Sequence, residues 1–436
     1  MHMGKNIEHT KVIQYTHYTI KWSFLSILVG IIVGLAAMVF YGLLSWSIAL
    51  IEPLMETSMF FILPVVGLFI SGVITSKLAP EAAGHGTDAI IKAYNKHWGK
   101  VSILTVPVKL VASIFTIASG GSAGPEGPAV QMGGGLSHLV ARALKLNLAD
   151  MRKLTICGIS AAFGSIFTAP IAGGVFGSEI IYRDDLDHNN LFKGLLSSIT
   201  AYYVYSVLLG QTRLFEFSPP EEYVFIASRD ILFFIAVGAF VGFISLLFIK
   251  TLYGYEHFNS RLNFPPYIKT AIGGLLTGIT AIIATPYIMG SGIDLVDKLF
   301  LEDTFPLSLI FLMLLGKIIA TSFTSGSGAS GGVVAPSLTI GALTGALISQ
   351  IVPYPYPLVI ISASSVALLG SAAHIPITTT FLAAENFSIE LLIPVAITCF
   401  VSSWIAKSDT IVRESYVSKL ELSKAPYQFP KRAIED

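Results

Sequence analysis

Charge is what this chain has least of. Of its 436 residues only 12% are Asp, Glu, Lys or Arg, while 53% are hydrophobic. A soluble domain carries about a quarter charged residues, so this surface cannot face water on every side. The formal net charge is zero, which removes any electrostatic case for a nucleic-acid partner or an acidic one. Cysteine is nearly absent too. Cys157 and Cys399 both lie in apolar stretches, so neither a disulfide framework nor a metal site is expected, and both read as small core residues. No cofactor is implied. The polar N-terminal stretch has no apolar core led by basic residues, so no cleaved signal peptide is expected.

Apolar sequence is abundant and comes in long runs: WSFLSILVGIIVGLAAMVFYGLL (22–44), FFILPVVGLFISGVI (60–74), DILFFIAVGAFVGFISLLFI (230–249) and IKTAIGGLLTGITAIIATPYIM (268–289). Several reach the roughly 20 residues that a helix needs to cross a bilayer. An all-α, multi-pass integral membrane protein is predicted, with the lipid bilayer as its solvent. Lys5, Lys11 and Lys21 stand against Glu8 alone in residues 1–21, which puts that segment on the cytoplasmic side.

The chain also repeats itself. Shifted by 208 residues, KLVASIFTIASGGSAGPEGP (109–128) falls on KIIATSFTSGSGASGGVVAP (317–336) with nine of twenty positions identical, among them Lys109/Lys317, Ser122/Ser330, Gly124/Gly332 and Pro128/Pro336. GSIFTAPIAGGVFGSE (164–179) meets GSAAHIPITTTFLAAE (370–385) at an offset of 206, ending on Glu179/Glu385. Two homologous halves are predicted over 22–209 and 229–406, joined by a polar linker at 210–228 and followed by residues 407–436. Twofold repeats with interrupted helices are typical of transporters, whose site forms at the repeat interface from half-helix ends.

Each half has one pattern: an apolar helix, a Ser/Gly-rich break, then a Gly-x-x-x-Pro start to a new helix. Irregular backbone at membrane depth survives only where it is buried in protein or lines a cavity. A helix start offers unpaired N–H groups and the positive end of the dipole, so two starts aimed at one spot form an anion site without a fixed cation. Within GPEGPAVQMGGG (124–135), Glu126 then has two readings. Its carboxylate either occupies the anion's place and leaves it on protonation, which is a gate, or simply caps a helix start.

Six stretches together resemble the CLC family of chloride channels and proton-coupled chloride antiporters: APEAAGHGTDAI (79–90), GPEGPAVQMGGG (124–135), SAAFGSIFTAPIAGGVFGSE (160–179), GSGASGGVVAPSLTIGALTG (326–345), HIPITTTFLAAE (374–385) and ESYVSKLEL (414–422). The similarity runs over about 22–424, in the right order and spacing. It implies two inverted-topology repeats of broken, tilted helices and a homodimer with one pore per subunit. It also implies chloride or a similar small anion as substrate and protons as its counterpart. The short length fits prokaryotic-type members of an inner membrane. By position Glu126 matches the gating glutamate, with His85, Gly86, Gly127, Val333 and Val334 around the anion. Tyr416 matches a tyrosine whose hydroxyl contacts it, on a pore-facing C-terminal helix within 407–436.

Departures from the family pattern bear on mechanism. His85 stands where the family's GSGIP has serine, which puts chloride-versus-nitrate selectivity in question, since an imidazole donates through one nitrogen when neutral and attracts anions when protonated. Val334 replaces the usual Phe. Pro125 replaces the basic residue of GREGP or GKEGP, removing a charge and an N–H from the outer anion site. Ile180 takes the place of the internal proton glutamate of many antiporters and cannot relay protons. Pro128 argues against the fluoride-exporting branch. Glu179 and Glu385 read as structural hydrogen-bonding groups at helix termini. Lys109 and Lys317, inside membrane segments, need a function or a partner: Lys109 adds positive potential along the path, and Lys317 snorkels or pairs within the scaffold.

Proton-coupled exchange is the preferred reading, with a passive voltage- or pH-gated channel as the alternative. An enzyme is not expected. The GxSG form of Gly328-Ala329-Ser330-Gly331, with His374 further on, admits a remote intramembrane serine protease. Ser330 nevertheless has a repeat mate in Ser122, and a helix break explains both. A transporter of an organic anion is the other remote reading.

Overall fold

The structure is a computed structural model and describes residues 2–210, 223–301 and 305–418, with side chains from residue 16 onward. Among them are sixteen α-helices and no strand, eight helices in each half. The first half holds α1 (His2–Met55), α2 (Leu63–Leu78), α3 (Thr87–Lys96), α4 (Thr105–Ala118), α5 (Glu126–Ala143), α6 (Leu148–Ile166), α7 (Pro170–Glu179) and α8 (His188–Leu209). The second holds α9 (Ala227–Ser260), α10 (Pro266–Ile283), α11 (Ile293–Phe300), α12 (Leu307–Gly326), α13 (Val334–Ile351), α14 (Pro357–Ala373), α15 (Pro376–Asn386) and α16 (Leu392–Ile405). Each helix of the first half has its mate eight helices later, down to the short pairs α3/α11 and α7/α15.

Proline and glycine set the boundaries. Pro occupies the first turn of α2, α7, α10, α14 and α15, where its missing N–H costs nothing. The Asn147 side chain caps α6 by accepting from Asp150 N at 2.9 Å. Among the described residues six helices are long and apolar enough to span a membrane: α1, α2, α9, α10, α12 and α13. They do not lie alike. The apolar window of α13 is 78% buried, against 39% for α1 and α9, so α1 and α9 keep a broad outer face. That face carries Phe24, Trp46, Leu232 and Phe243, all exposed, as lipid contact requires. On the inner side α1 lies against α8, and α9 against α16, through small residues. A Cβ on Gly30 would stand 2.6 Å from Ser197 O, and one on its mate Gly238 would stand 2.9 Å from Thr398 O, the close backbone approach that binds helices where lipid offers no hydrophobic drive.

Reciprocal contacts establish a twofold relation between the halves. Gly124 N donates to Gly332 O at 2.8 Å and Gly332 N returns to Gly124 O at 2.7 Å, an antiparallel bridge between repeat mates. Ser122 shares a hydrogen bond with Thr321 at 2.9 Å, and the mates Ser330 and Ser113 share one at 3.0 Å. Helices α2 and α10 pack on each other, as do α7 and α15, so each of these pairs straddles the axis.

α1 runs without interruption from His2, so residues 2–21 are helical and continuous with the first span. The helix expected over 407–436 is absent from its described part. Residues 407–418 form turns and a short bridge to Tyr182, because the carbonyls of Tyr416 and Val417 accept from Arg183 N and Asp184 N and are lost to any helical ladder. The remainder, 419–436, lies outside the described residues, as does linker 211–222.

Candidate functional site

Three helix starts meet beside the Gly124–Gly332 bridge. α3 begins after Gly86, whose φ of 87° is open to glycine but strained for other residues. α5 begins at Glu126 and α13 at Val334. How closely they approach is shown by what a methyl would strike. A Cβ on Gly127 would lie 2.2 Å from His85 O and 3.0 Å from Gly332 Cα, and one on Gly86 would lie 2.8 Å from Gly127 O. The loops are cross-tied as well: Gly84 N donates to Gly328 O at 3.2 Å and Gly331 N to Gly84 O at 3.3 Å. His85, Gly86, Glu126, Gly127, Val333 and Val334 are thus neighbours, although 249 residues of sequence separate the first from the last.

Glu126 is 2% exposed. Its Oε2 accepts a hydrogen bond from Ala335 N at 3.3 Å, an N–H in the first turn of α13. A side chain from one half thereby satisfies a helix-start donor of the other, where the dipole favours negative charge. Val333 and Val334, both buried, give this spot an aliphatic wall.

His85 adds a polar atom without a partner: its Nδ1 is buried and makes no hydrogen bond among the described residues. Sequence analysis missed its neighbour Gln131, buried on α5. Gln131 Nε2 donates to Glu81 O at 2.7 Å, while Oε1 is unpartnered and would stand 3.1 Å from a Cβ on Gly86. The signal was available, because a glutamine one helical turn beyond a helix start amid glycines and small apolar residues has no reason in lipid. Lys109 is fully buried, and its ammonium donates to Ala82 O at 3.0 Å and Gly84 O at 2.6 Å. Lys317 does the same for its own half, to Ile288 O at 3.0 Å and Gly290 O at 2.9 Å. Lys317 therefore pairs within the scaffold and does not snorkel: it has no exposed surface with which to reach an interface.

Glu179 and Glu385 form a crossed pair of caps. Glu179 accepts from Ile377 N and Thr378 N at 2.9 and 2.7 Å, and from the Thr378 hydroxyl at 2.6 Å. Glu385 accepts from Ile171 N and Ala172 N, both at 2.8 Å. Each glutamate at the end of one short helix holds the start of the other, as expected of structural groups. Ile180 follows at the end of α7, 2% exposed. Tyr416 is tied nearby through its backbone, its N donating to Ile181 O at 3.2 Å and its carbonyl accepting from Arg183 N at 2.9 Å, with its ring packed on the main core. The 407–418 segment also clamps α3: Glu414 N donates to Asp88 Oδ1 at 2.9 Å and Asn95 Nδ2 to Glu414 O at 2.7 Å. Asp88 was quoted in the sequence motif and its task overlooked.

The protease constellation does not assemble. Ser330 bonds Ser113, and His374, at a positive φ, places Nε2 2.9 Å from Asp409 O. Among the described residues no cluster suited to a metal exists.

Known proteins were compared with this architecture. The family model described as "Voltage gated chloride channel" matches residues 66–407. An uncharacterized protein of Methanocaldococcus jannaschii is 30% identical, over 90% of this chain and 95% of its own length. A protein of Pseudomonas syringae pv. tomato named "Chloride/fluoride channel protein" is 28% identical, over 88% of this chain and 84% of its own. Among solved structures, a CLC-type fluoride/proton antiporter superposes with a TM-score of 0.83 at 23% identity, covering 92% of this chain and 98% of that one. A slow cyanobacterial Cl-/H+ antiporter gives 0.77 at 23% identity, with 92% and 97% covered. The fold is the CLC fold, and that family consists of transporters and channels, not enzymes. With a family model spanning most of its length and the fold to match, the chain belongs to the voltage gated chloride channel (CLC) family.

Proposed function

We propose that this protein carries chloride or a similar small anion across a membrane in exchange for protons, with Glu126 as the gate. The observation that carries the reading is the Glu126 carboxylate accepting the Ala335 N–H at the start of α13. An ionised carboxylate there competes with the anion for the same donor. Protonation cancels its charge and weakens its hold, so anion and proton take turns at one seat. His85 Nδ1 and the helix starts at Gly86, Gly127 and Val334 are the remaining anion contacts, and the Tyr416 hydroxyl closes the path from the other side. We assign the path to each subunit of a homodimer in a prokaryotic inner membrane, the two halves inverted about the axis through Gly124 and Gly332. The relative named "Chloride/fluoride channel protein" and the family model support anion transport as the general function.

A passive channel is the second reading, favoured by Ile180. A buried aliphatic side chain at the usual internal proton position cannot bind a proton, so exchange needs another route inward.

Purified protein in liposomes, with voltage clamped by potassium and valinomycin, decides between them. Chloride efflux and external pH are recorded together, then fluoride replaces chloride. Uphill proton movement driven by the anion gradient is the expected result. Anion flux with silent pH makes the protein a channel, and no anion flux overturns transport altogether.

A further inference from the structure

We infer that the cavity between α9, the residues after α7 and the 407–418 segment is a binding site for a phosphate-bearing anion, and that its occupancy acts on α3. The cavity measures about 380 Å³. That is far more than a halide needs and lies within the range of small-molecule sites, about 300–1,000 Å³.

Its lining is cationic. Arg183, Lys250 and Arg413 face it, against the single carboxylate of Asp409. Among the described residues no carboxylate stands at ion-pair distance from Arg183 or Lys250. Arg183, partly buried, has one side-chain partner among the described residues, the Ser415 hydroxyl at 3.4 Å, which leaves most of its guanidinium donors without a described acceptor. Asp409 is partly occupied: the Ser408 hydroxyl donates to it at 2.9 Å. Arg413 lies over the ring of Tyr253 with its guanidinium carbon 3.1 Å from the centroid, and Tyr253 in turn donates its hydroxyl to Ile411 O at 2.7 Å. Two cations without a carboxylate partner among the described residues, and a third that lies on a tyrosine and is paired with Glu256 at 3.9 Å, line one receptor. Guanidinium forks match phosphate oxygens bidentately, and an ammonium adds a point charge.

The cavity wall is also what grips α3. Arg183 N holds Tyr416 O, and Glu414, next to Arg413, holds Asp88, two residues after Gly86. A ligand bridging Arg183, Lys250 and Arg413 stiffens this wall, and a ligand that binds one arrangement of the wall better than another shifts the balance between them. The consequence for transport rests on the proposed function, whereas the binding site itself does not.

The test uses the full chain in phosphatidylcholine nanodiscs, titrated calorimetrically with inorganic phosphate and with pyrophosphate. Saturable binding, one pyrophosphate per chain, is expected, weakened about tenfold or more for each cation removed in Arg183→Gln and Lys250→Gln. Lys298→Gln, far away on α11, leaves it unchanged. No saturable binding, or equal binding in the Arg183→Gln/Lys250→Gln double variant, overturns the site. Repeating the titration with phosphatidate in the nanodisc identifies the source: competition points to a lipid headgroup, its absence to a soluble phosphate compound. In liposomes, pyrophosphate on the side of the 407–418 segment should alter anion flux in wild type and not in the double variant. Binding without an effect on flux overturns the action on α3. Binding with no flux under any condition sinks the transport reading instead and leaves the site standing.

Discussion

The starts of α5 and α13 occupy equivalent positions in the two halves and share a bridge, yet they are built for different work. Gly124 and Gly332 are mates and bond each other, but the next residues are Pro125-Glu126-Gly127 on one side and Val333-Val334-Ala335 on the other. The loops ahead of α3 and α11 repeat the lesson. Gly84 and Gly290 have φ of 70° and 61°, and Gly86 and Gly292 have 87° and 84°, while His85 faces its mate Ser291 across the symmetry. Backbone geometry, lysine staples and glutamate caps obey the twofold. The carboxylate, the imidazole and the aliphatic wall do not. The scaffold is a duplicated object, and the proposed site lies at the few positions where the halves diverge.

The sharpest way to break this comparison is at Gly127, whose mate is Ala335. A methyl is native at Ala335, but at Gly127 it would meet His85 O at 2.2 Å and Gly332 Cα at 3.0 Å. Backbone atoms cannot step aside, so Gly127→Ala should cost about 3 kcal/mol and abolish anion flux. Size-exclusion profile, thermal unfolding and liposome flux measure this, and a well-folded, fully active variant would show that the three helix starts sit further apart.

Next in size is the carboxylate itself. Under the proposed gate an ionised Glu126 holds the seat at Ala335 N and a protonated one releases it, so wild-type anion flux should rise as pH falls. Glu126→Gln has no charge to lose. Its flux should be flat with pH, and proton coupling should vanish. Unchanged pH dependence in that variant would reduce Glu126 to a cap.

The glutamate pair tests whether symmetry extends to energetics. Glu179 is 5% exposed and takes three hydrogen bonds, while Glu385 is more open and takes two. Removing an acceptor from buried donors costs about 1–3 kcal/mol each at most. Glu179→Ala should therefore destabilise by about 3 kcal/mol and Glu385→Ala by about 1, read as unfolding midpoints in detergent. Equal losses would mean that water does not relieve the Glu385 site.

The smallest effect is expected at His85. Replacing the imidazole with the hydroxyl of its mate, His85→Ser, should leave the fold intact and shift chloride-to-nitrate preference by a few-fold, within about 1 kcal/mol, in paired flux assays. Identical selectivity would place Nδ1 outside the anion's reach.

Much of this was legible before any coordinates. Proline and glycine at fixed offsets announced the helix starts, because few other residues suit a first turn or a positive φ. The matching Glu179/Glu385 announced a shared structural role, whereas Lys109 was assigned to the anion path and only the structure shows it stapling loop carbonyls as its mate Lys317 does. That residues 407–418 form turns and not helix was not legible, because it depends on partners. Carbonyls that a helix would use internally are taken by Arg183 and Asp184, more than two hundred residues away. Gln131 and Asp88 were passed over for a related reason: a polar side chain shows its purpose only when the unpaired group beside it is known.

What the sequence alone determined is the class of object, a duplicated, membrane-spanning helical chain with its breaks in fixed places. Composition and periodicity are local properties, and the bilayer leaves few alternatives to helices. Only the tertiary structure decided that the Glu126 carboxylate rests on the α13 start of the other half, and that three loops close around His85, Gly127 and Gly332. Hydrogen bonds and close contacts act over a few ångströms in space with no regard for separation along the chain, and it is there that a duplicated scaffold becomes one site.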